Sequence, residues 1–219
     1  MGADQDAAGL WHTLTEHWNG SAWSTVPAVD AGASGNQFYA VTAVSSNSVY
    51  ATGQQSGSRF PSQALVEHWN GRSWSVLPTP SDPTETLTPY GITGSDSALT
   101  VVGDRESSTA PYTTLVAAGA PNSLALVASP NNGTGEQDLF GATTAADGST
   151  WAVGWSLNGS EQTLTEQGVN GTWSLVASPD PGTGDNGFAG VGAIPGGGVW
   201  AVGVTSNNGG FSTLIAHHC

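Results

Sequence analysis

The sequence contains no lysine and only three arginines, a shortage that excludes several functions at once. Seventeen aspartates and glutamates bring the formal net charge to −14 at pH 7. Binding to nucleic acid or to an anionic membrane surface depends on basic patches, which this chain cannot provide. A phosphate-binding loop with its lysine is equally impossible. Kinase, dehydrogenase and nucleic-acid-binding functions are therefore set aside, and we expect no nucleic-acid partner.

Long hydrophobic runs and cysteine are also scarce. No window approaches the roughly 20 apolar residues of a membrane-spanning helix, so we expect no membrane insertion. The single cysteine, Cys219, excludes an internal disulfide framework. The first residues, Met1 to Asp6, do not resemble the start of a signal peptide. The chain nevertheless has nine tryptophans and 37% hydrophobic residues among 219, enough to build the core of one domain.

An internal repeat of about 50 residues organises the chain. The segment Leu14–Gly20 (Leu-Thr-Glu-His-Trp-Asn-Gly) returns as Leu65–Gly71 (Leu-Val-Glu-His-Trp-Asn-Gly). Weaker copies start at Leu115, Leu164 and Leu214. The five leucines are spaced by 51, 50, 49 and 50 residues, and a Trp-Ser pair and a Trp-Ala-Val-Gly segment recur with the same period. Three markers with one period indicate a repeat protein.

Each complete repeat is predicted to hold four antiparallel strands. Short runs of Val, Thr, Tyr, Trp and Leu alternate with small or polar residues, and no run shows a helical period. In the second repeat we predict strands over Phe38–Val44, Ser48–Gly53, Gln63–Trp69 and Ser73–Leu77. Asn-Gly, the preferred pair for a two-residue hairpin, joins the third strand to the fourth. The repeats cover residues 1–37 (partial), 38–88, 89–138, 139–187 and 188–219 (partial), which we treat as a single domain.

Four-stranded sheets in a repeat of this length predict an all-β fold, a β-propeller of four-stranded antiparallel blades. Counting along the chain gives seventeen strands, whereas a closed ring of four blades needs sixteen. Strands at Thr13–Asn19 and Thr213–Cys219 would therefore compete for one position in a four-blade ring. Alternatively, they would pair between molecules in a strand-exchanged homo-oligomer, or the chain would be a fragment of a larger propeller.

The repeat motif resembles that of a known group of proteins. Trp-Asn-Gly-x-x-Trp-Ser-x-x-Pro, followed by x-Trp-Ala-Val-Gly and Leu-x-Glu-His-Trp-Asn-Gly, is similar to the tandem repeats of secreted actinobacterial and related bacterial β-propeller proteins. The resemblance runs from about Leu14 to Leu214, although the repeat over Tyr90–Ala128 lacks the Trp and Asn-Gly markers. Most members of that group have no assigned activity, so the resemblance implies a fold and an extracellular location more than a chemistry. Kelch and sialidase-type propellers are more distantly similar, but three scattered arginines cannot form the sialidase arginine cluster.

Residues that recur once per repeat are interpreted first as packing residues. Seven tryptophans hold a fixed register and are expected to pack repeat against repeat: Trp18, Trp23, Trp69, Trp74, Trp151, Trp173 and Trp200. His17, His68 and His217 share one position on the third strand, where hydrogen bonding at the surface or between blades is expected. His217-His218-Cys219 has metal-ligand residue types, but neighbours on a strand point to opposite faces, so no metal site is expected there.

A ligand is expected on the face that carries the long connections. Long loops on a rigid scaffold can vary without disturbing the sheets, whereas tight hairpins present little concavity. The candidate ligand-binding residues are Trp11, Arg59, Asp104, Arg105, Glu106 and Trp155. The two tryptophans lie outside the recurrent positions and could stack on a sugar face. Arg105 could contact a polar ligand, or could pair with the carboxylates that flank it.

Carboxylates crowd the same predicted connections. They are Asp30, Asp82, Glu85, Asp104, Glu106, Glu136, Asp138, Glu161, Asp180 and Asp185. Oxygen-rich glycine loops can hold Ca²⁺, although acidic residues on such surfaces more often serve solubility. Calcium is thus the one cofactor considered, and none is expected. Paired carboxylates could hydrolyse a glycan, but no pair stands out in the sequence.

Three functions stay open. We favour an extracellular, lectin-like binding propeller that presents similar pockets to a carbohydrate or peptide ligand. One alternative is an enzyme that acts on a glycan through carboxylates on the long-loop face. The other is a structural repeat with no ligand of its own. No catalytic residue is assigned, because the sequence has no usable Gly-x-Ser-x-Gly nucleophile elbow.

Overall fold

A computed structural model describes residues 1–57 and 61–218. All regular secondary structure in these ranges is β-strand, so the all-β prediction is confirmed. No helix within them is long and apolar enough to cross a membrane. Arg59 and Cys219, two residues singled out from the sequence, lie outside the described residues.

The strands fall into five successive groups, which we call repeats 1 to 5. Repeat 1 comprises β1 (Gly2–Gln5), β2 (Trp11–Leu14), β3 (Glu16–Trp18) and β4 (Trp23–Thr25). Repeat 2 comprises β5 (Gly35–Ser45), β6 (Ser48–Ser56), β7 (Gln63–Trp69) and β8 (Trp74–Val76). Repeat 3 comprises β9 (Glu85–Gly94), β10 (Leu99–Ser107), β11 (Thr113–Gly119) and β12 (Ala125–Leu126). Repeat 4 comprises β13 (Gln137–Thr144), β14 (Thr150–Asn158), β15 (Ser160–Val169) and β16 (Thr172–Leu175). Repeat 5 comprises β17 (Asn186–Ala193), β18 (Val199–Asn207) and β19 (Gly210–His218).

Within each of repeats 2 to 5, each strand pairs antiparallel with the next. Repeats 3 and 4 are four-stranded sheets and repeat 5 is a three-stranded sheet, each in chain order. The four strands of repeat 2 continue into β1 and β2 through one parallel bridge between Trp11 and Gly35, while β3 and β4 form a separate hairpin. The four strands predicted for repeat 2 are confirmed to within three residues at each end.

A β-bulge interrupts the first strand of repeats 2 to 5 at one equivalent position. The register skips one residue in each of these strands: Tyr39, Tyr90, Phe140 and Ala189. Opposite each bulge stands the glycine of the recurrent Val-Gly or Thr-Gly marker: Gly53, Gly103, Gly154 and Gly203. A Cβ at any of these glycines would lie only 1.8 to 2.0 Å from a carbonyl oxygen of the first strand. The marker therefore ends in glycine because the bulged strand leaves no room for a side chain.

The hydrophobic core lies between consecutive repeats. Val102 and Val116 of repeat 3 pack with Leu139, Ala152, Leu164 and Trp173 of repeat 4. Val153 of repeat 4 packs in the same way with Phe188, Ala201 and Leu214 of repeat 5. Each repeat thus buries its apolar residues against its neighbours, as expected for a repeat protein.

The recurrent tryptophans follow this stacking only where a neighbour exists. Trp151 and Trp173 are buried, and Trp69 and Trp74 are half-buried. The packing prediction is wrong for three others, which are exposed: Trp18, Trp23 and Trp200. These three belong to repeats 1 and 5, whose outer sides no other repeat covers within the described residues.

The two terminal regions that were predicted to compete for one place lie in different sheets. β19 pairs with β18, whereas β2 pairs with β1, a strand that the sequence count missed. Four-blade closure, exchange between molecules and the larger propeller all stay predictions.

Candidate functional site

Most of the predicted ligand-binding residues lie in strands. Asp104, Arg105 and Glu106 are consecutive in β10, and Trp155 is in β14. Their assignment to long connections is wrong, because β10 stays paired with β9 as far as Ser107. Trp11 is exposed in β2 and packs against Gly35, apart from this group.

The carboxylates divide into two sets. Glu85, Asp104, Glu106, Asp138 and Glu161 lie in strands, again in contrast to the prediction. Among those that do lie in connections, Asp30 and Asp180 each accept a hydrogen bond from a backbone N–H, of Thr13 at 2.9 Å and of Thr163 at 2.7 Å. Each of these loop carboxylates thus holds an earlier strand of its own repeat, β2 and β15 respectively. In the described part of the chain, no group of three or more His, Cys, Asp or Glu is arranged to hold a metal ion.

Arg105 forms an ion pair, but not with its neighbours in the sequence. Its Nη2 lies 2.6 Å from Oε2 of Glu85 on β9, and its Nε donates to the same oxygen at 2.8 Å. Side chains alternate along a strand, so Asp104 and Glu106 point to the face opposite Arg105. The expected pairing with the flanking carboxylates is therefore wrong.

A row of side-chain contacts links each second strand to the first strand of the following repeat. Between repeats 2 and 3, Gln54 Nε2 donates to Thr88 Oγ1 at 3.2 Å. Between repeats 4 and 5, Trp155 packs over Gly187. Asp104 and Asp138 hold the corresponding positions between repeats 3 and 4. One interface in this row thus brings two carboxyl groups together where its neighbour has an amide and a hydroxyl.

Both aspartates of this pair are buried: Asp104 is 4% exposed and Asp138 is 7% exposed. Burial, together with the carboxylates of Asp138 and Glu106, raises the pKa of Asp104 to about 7, although the nearby Tyr90 hydroxyl lowers it. Burial, with Glu136 and Glu161 nearby, raises the pKa of Asp138 to about 6. Neither carboxyl has an ion-pair partner among the described residues. Near neutral pH the pair therefore offers both a hydrogen-bond donor and an acceptor.

Three aromatic rings at the bulges form a column beside the carboxyl pair. The ring centroids of Tyr39 and Tyr90 are 5.5 Å apart, and those of Tyr90 and Phe140 are 5.4 Å apart. Tyr39 is exposed, and the other two are half-buried. Burial, and then the charge of Asp104, raise the pKa of both tyrosines, so their hydroxyls keep their protons. We call Tyr39, Tyr90, Phe140, Asp104 and Asp138 the bulge cluster.

The aromatic half of the bulge cluster was not predicted from the sequence. A signal was present, since the three aromatic residues are spaced by 51 and 50 residues, the period of the repeat. Of the predicted residues, the structure brings Asp104 into this cluster. Trp155 stands opposite Asp138 in the β13–β14 pairing, one position along the same row.

The hairpin face, which carries the Asn-Gly turns and was expected to present little concavity, contains a groove. A groove of about 490 Å³ lies there, lined among others by Ser48, Tyr50, His68 and Asp96. The His68 ring stacks on Tyr50 with centroids 4.5 Å apart, and its Nε2 lies 3.0 Å from Ser48 Oγ. The Ser48 hydroxyl donates a hydrogen bond to Asp96 Oδ1. Because the serine stands between the histidine and the aspartate, it is not placed to act as an activated nucleophile.

One of the other two histidines at the recurrent position repeats the ring contact of His68, since Trp200 pairs with His217 as Tyr50 pairs with His68. His217 stacks on Trp200 with ring centroids 4.6 Å apart, and His17 is exposed. The three therefore share a register position without sharing a site.

Comparison with protein-family models and with curated proteins finds no match for this chain.

Proposed function

We propose that this chain is an extracellular binding protein of the β-propeller type, and that it holds a neutral carbohydrate at the bulge cluster. One observation carries the proposal: three aromatic rings stand in a column next to two buried carboxyl groups. Sugars have apolar C–H faces that pack on aromatic rings, and hydroxyls that both donate and accept hydrogen bonds. The cluster combines these two kinds of contact.

The charge of the site favours a neutral ligand over an anionic one. The chain carries a net charge of −14, and carboxylates surround the cluster. An anionic ligand would be repelled, whereas a ligand hydroxyl that reaches the buried pair would donate to an ionised Asp138 and accept from a protonated Asp104. The stacking of four-stranded sheets supports the propeller architecture, and the resemblance of the repeats to secreted proteins supports the location.

A glycan array tests the proposal. The wild-type chain is expected to bind a subset of neutral glycans, and Tyr39→Ala is expected to weaken that binding at least tenfold, because it removes the exposed ring of the column. Phe211→Ala is the matched control, since it removes an exposed aromatic ring from β19. No glycan signal, or equal loss in both variants, would contradict the proposal, as would binding confined to peptides.

A second candidate function is supported by the carboxyl pair itself. Two carboxyl groups with raised and unequal pKa values are the arrangement that glycosidases use for an acid and a base or nucleophile. Asp104 would be the general acid that protonates the leaving-group oxygen of the glycosidic bond. Asp138 would be the ionised partner that acts as base or nucleophile. Release of reducing sugar from a bound glycan, abolished by Asp104→Asn and by Asp138→Asn while binding persists, would establish this activity. Binding without any turnover would leave the chain a lectin.

A further inference from the structure

Every interface between repeats joins two kinds of surface. The outgoing face of a repeat, which packs on the repeat that follows, carries Val66 in repeat 2, Val102 and Val116 in repeat 3, and Val153 in repeat 4. The incoming face, which packs on the repeat before, carries the tryptophan of the fourth strand in repeats 2 and 4 and Leu124 at the equivalent position of repeat 3. Trp173 shows the fit, because it packs with Val102 and Val116.

The outgoing face of repeat 5 is uncovered. Val202 is 49% exposed, whereas its counterparts Val102 and Val153 are 0% and 1% exposed. Ile215, which pairs with Val202 across β18 and β19, is 62% exposed, while its counterpart Val116 is 1% exposed. Trp200 and Val204 lie two residues before and two residues after Val202 on β18, so the three side chains share one face. Trp200 and Val204 are about half exposed as well. Together these four side chains form a continuous apolar surface, which marks an interaction site.

The incoming face of repeat 1 is uncovered too. Trp23 is the counterpart of Trp173 and is 65% exposed. Its ring lies 5.7 Å from that of Trp18, much as Trp74 lies 5.9 Å from Trp69 in repeat 2. Since both end surfaces are exposed, they do not cover each other among the residues that the structure describes.

We propose that the outgoing face of repeat 5 binds the incoming face of repeat 1 in a second copy of this chain. Trp23 of one copy packs over Val202 and Ile215 of the other, as Trp173 packs over Val102 and Val116 inside the chain. The contact is head-to-tail, so each copy uses one face and keeps the other available for the next. It continues an interface that the chain already makes three times, and it does not depend on the proposed function.

Net charge opposes this assembly and gives it a recognisable salt dependence. Each copy carries −14, so the copies repel one another at low ionic strength. Added salt screens that repulsion without weakening apolar contacts. Association is therefore expected to strengthen as sodium chloride increases from 50 mM to 500 mM, roughly the range over which screening of surface charges becomes strong.

Sedimentation velocity on the full chain tests the proposal. Wild type is expected to exceed its monomer mass of 22.1 kDa as concentration rises, while Ile215→Asp and Trp23→Asp each stay at 22.1 kDa. An equimolar mixture of the two variants is expected to stop at a dimer, because one intact outgoing face meets one intact incoming face. Val169→Asp, which adds the same charge at an exposed valine beside a hairpin turn, is expected to associate like wild type.

Three results would overturn the proposal. The first is a wild-type chain that stays monomeric at every concentration and salt level. The second is a mixture that stays monomeric although both variants keep the wild-type circular dichroism spectrum. The third is association abolished by Ile215→Asp but not by Trp23→Asp, which would mean that two outgoing faces meet. Ile215→Ser serves as a second variant if the aspartate disturbs the sheet, and is expected to weaken association as well.

Discussion

Buried acids at equivalent strand positions give this chain an unusual response to pH. Glu67 and Glu166 share a position on the third strand and are both 0% exposed. Burial raises the pKa of each to about 7. Each has one oxygen that accepts a hydrogen bond, from Val29 N–H and from Ser129 Oγ respectively, and one oxygen without a hydrogen-bond partner. A neutral carboxyl is therefore the form that the fold accommodates.

We expect Glu166→Gln to stabilise the fold at pH 8 and to leave it nearly unchanged at pH 4. Because the pKa of Glu166 is raised in the folded chain, stability is fully present below its unfolded pKa and is lost as pH rises through about 7. Each unit of difference between the folded and unfolded pKa corresponds to about 1.4 kcal/mol of stability. The free energy of unfolding that Glu166→Gln adds at pH 8 is therefore at most on the order of 3 kcal/mol. Urea denaturation at both pH values measures it. Equal effects of Glu166→Gln at pH 4 and pH 8 would show that the carboxyl is not held neutral.

The carboxyl pair of the bulge cluster should respond to the loss of one member. We expect Asp138→Asn to lower the pKa of Asp104 from about 7, because the substitution removes a neighbouring negative charge. Carbon-13 NMR titration of the aspartate carboxyls measures the change. Asp147→Asn removes the same charge from a turn of repeat 4 and should leave Asp104 unaffected. An Asp104 pKa that is identical in wild type and Asp138→Asn would mean that the two carboxyls do not interact.

Among the strands and sheets, the bulge is the feature that places the aromatic rings of the bulge cluster. It turns Tyr39, Tyr90 and Phe140 out of the strand pairing, and the facing glycine makes room for the bulged backbone. The position of the aromatic column therefore depends on the glycines that face the bulges, which are not themselves part of the bulge cluster.

We expect Gly103→Ala to destabilise the fold by about 2–3 kcal/mol or more, because its Cβ would lie 1.9 Å from the Thr88 carbonyl oxygen. Gly192→Ala is the control, since a Cβ there meets no atom within 4 Å. Thermal and urea unfolding compare the two. Similar stability in both variants would show that the bulge can relax to admit a side chain.

The strands were largely predictable, and the site was not. Alternating β-branched residues, Asn-Gly turns and one period sufficed to predict the strands of repeat 2. Polar residues such as Asp104 and Glu106 looked like loop because nothing local reveals that backbone pairing continues through them. The meeting of Asp104 with Asp138 depends on how one repeat packs on the next. A sequence period cannot show that packing.

At the scale of the whole molecule, the fold is a stack in which burial depends on having a neighbour. Val116 is 1% exposed at the interface of repeats 3 and 4, whereas Ile215, its counterpart on the third strand of repeat 5, is 62% exposed. The same kind of residue in the same element thus contributes differently to stability at the middle and at the end of the stack.

We expect Leu164→Ala to lower the free energy of unfolding by about 2–5 kcal/mol and Ile215→Ala to change it by less than about 0.5 kcal/mol. The first substitution leaves a cavity, and the second removes atoms that are already exposed. Urea denaturation at a concentration where the chain is monomeric provides the comparison. A large loss in Ile215→Ala under those conditions would show that the end face is covered within a single chain.

The four tyrosines allow ligand binding at the bulge cluster to be tested in one experiment. The measurement is an NMR titration of the tyrosine-labelled chain with a glycan that binds on the array. Tyr39 and Tyr90 belong to the cluster, whereas Tyr50 lines the groove on the hairpin face. We expect the Tyr39 and Tyr90 ring signals to shift with saturation while that of Tyr50 stays in place. A saturable shift of Tyr50 with Tyr39 and Tyr90 unmoved would contradict it.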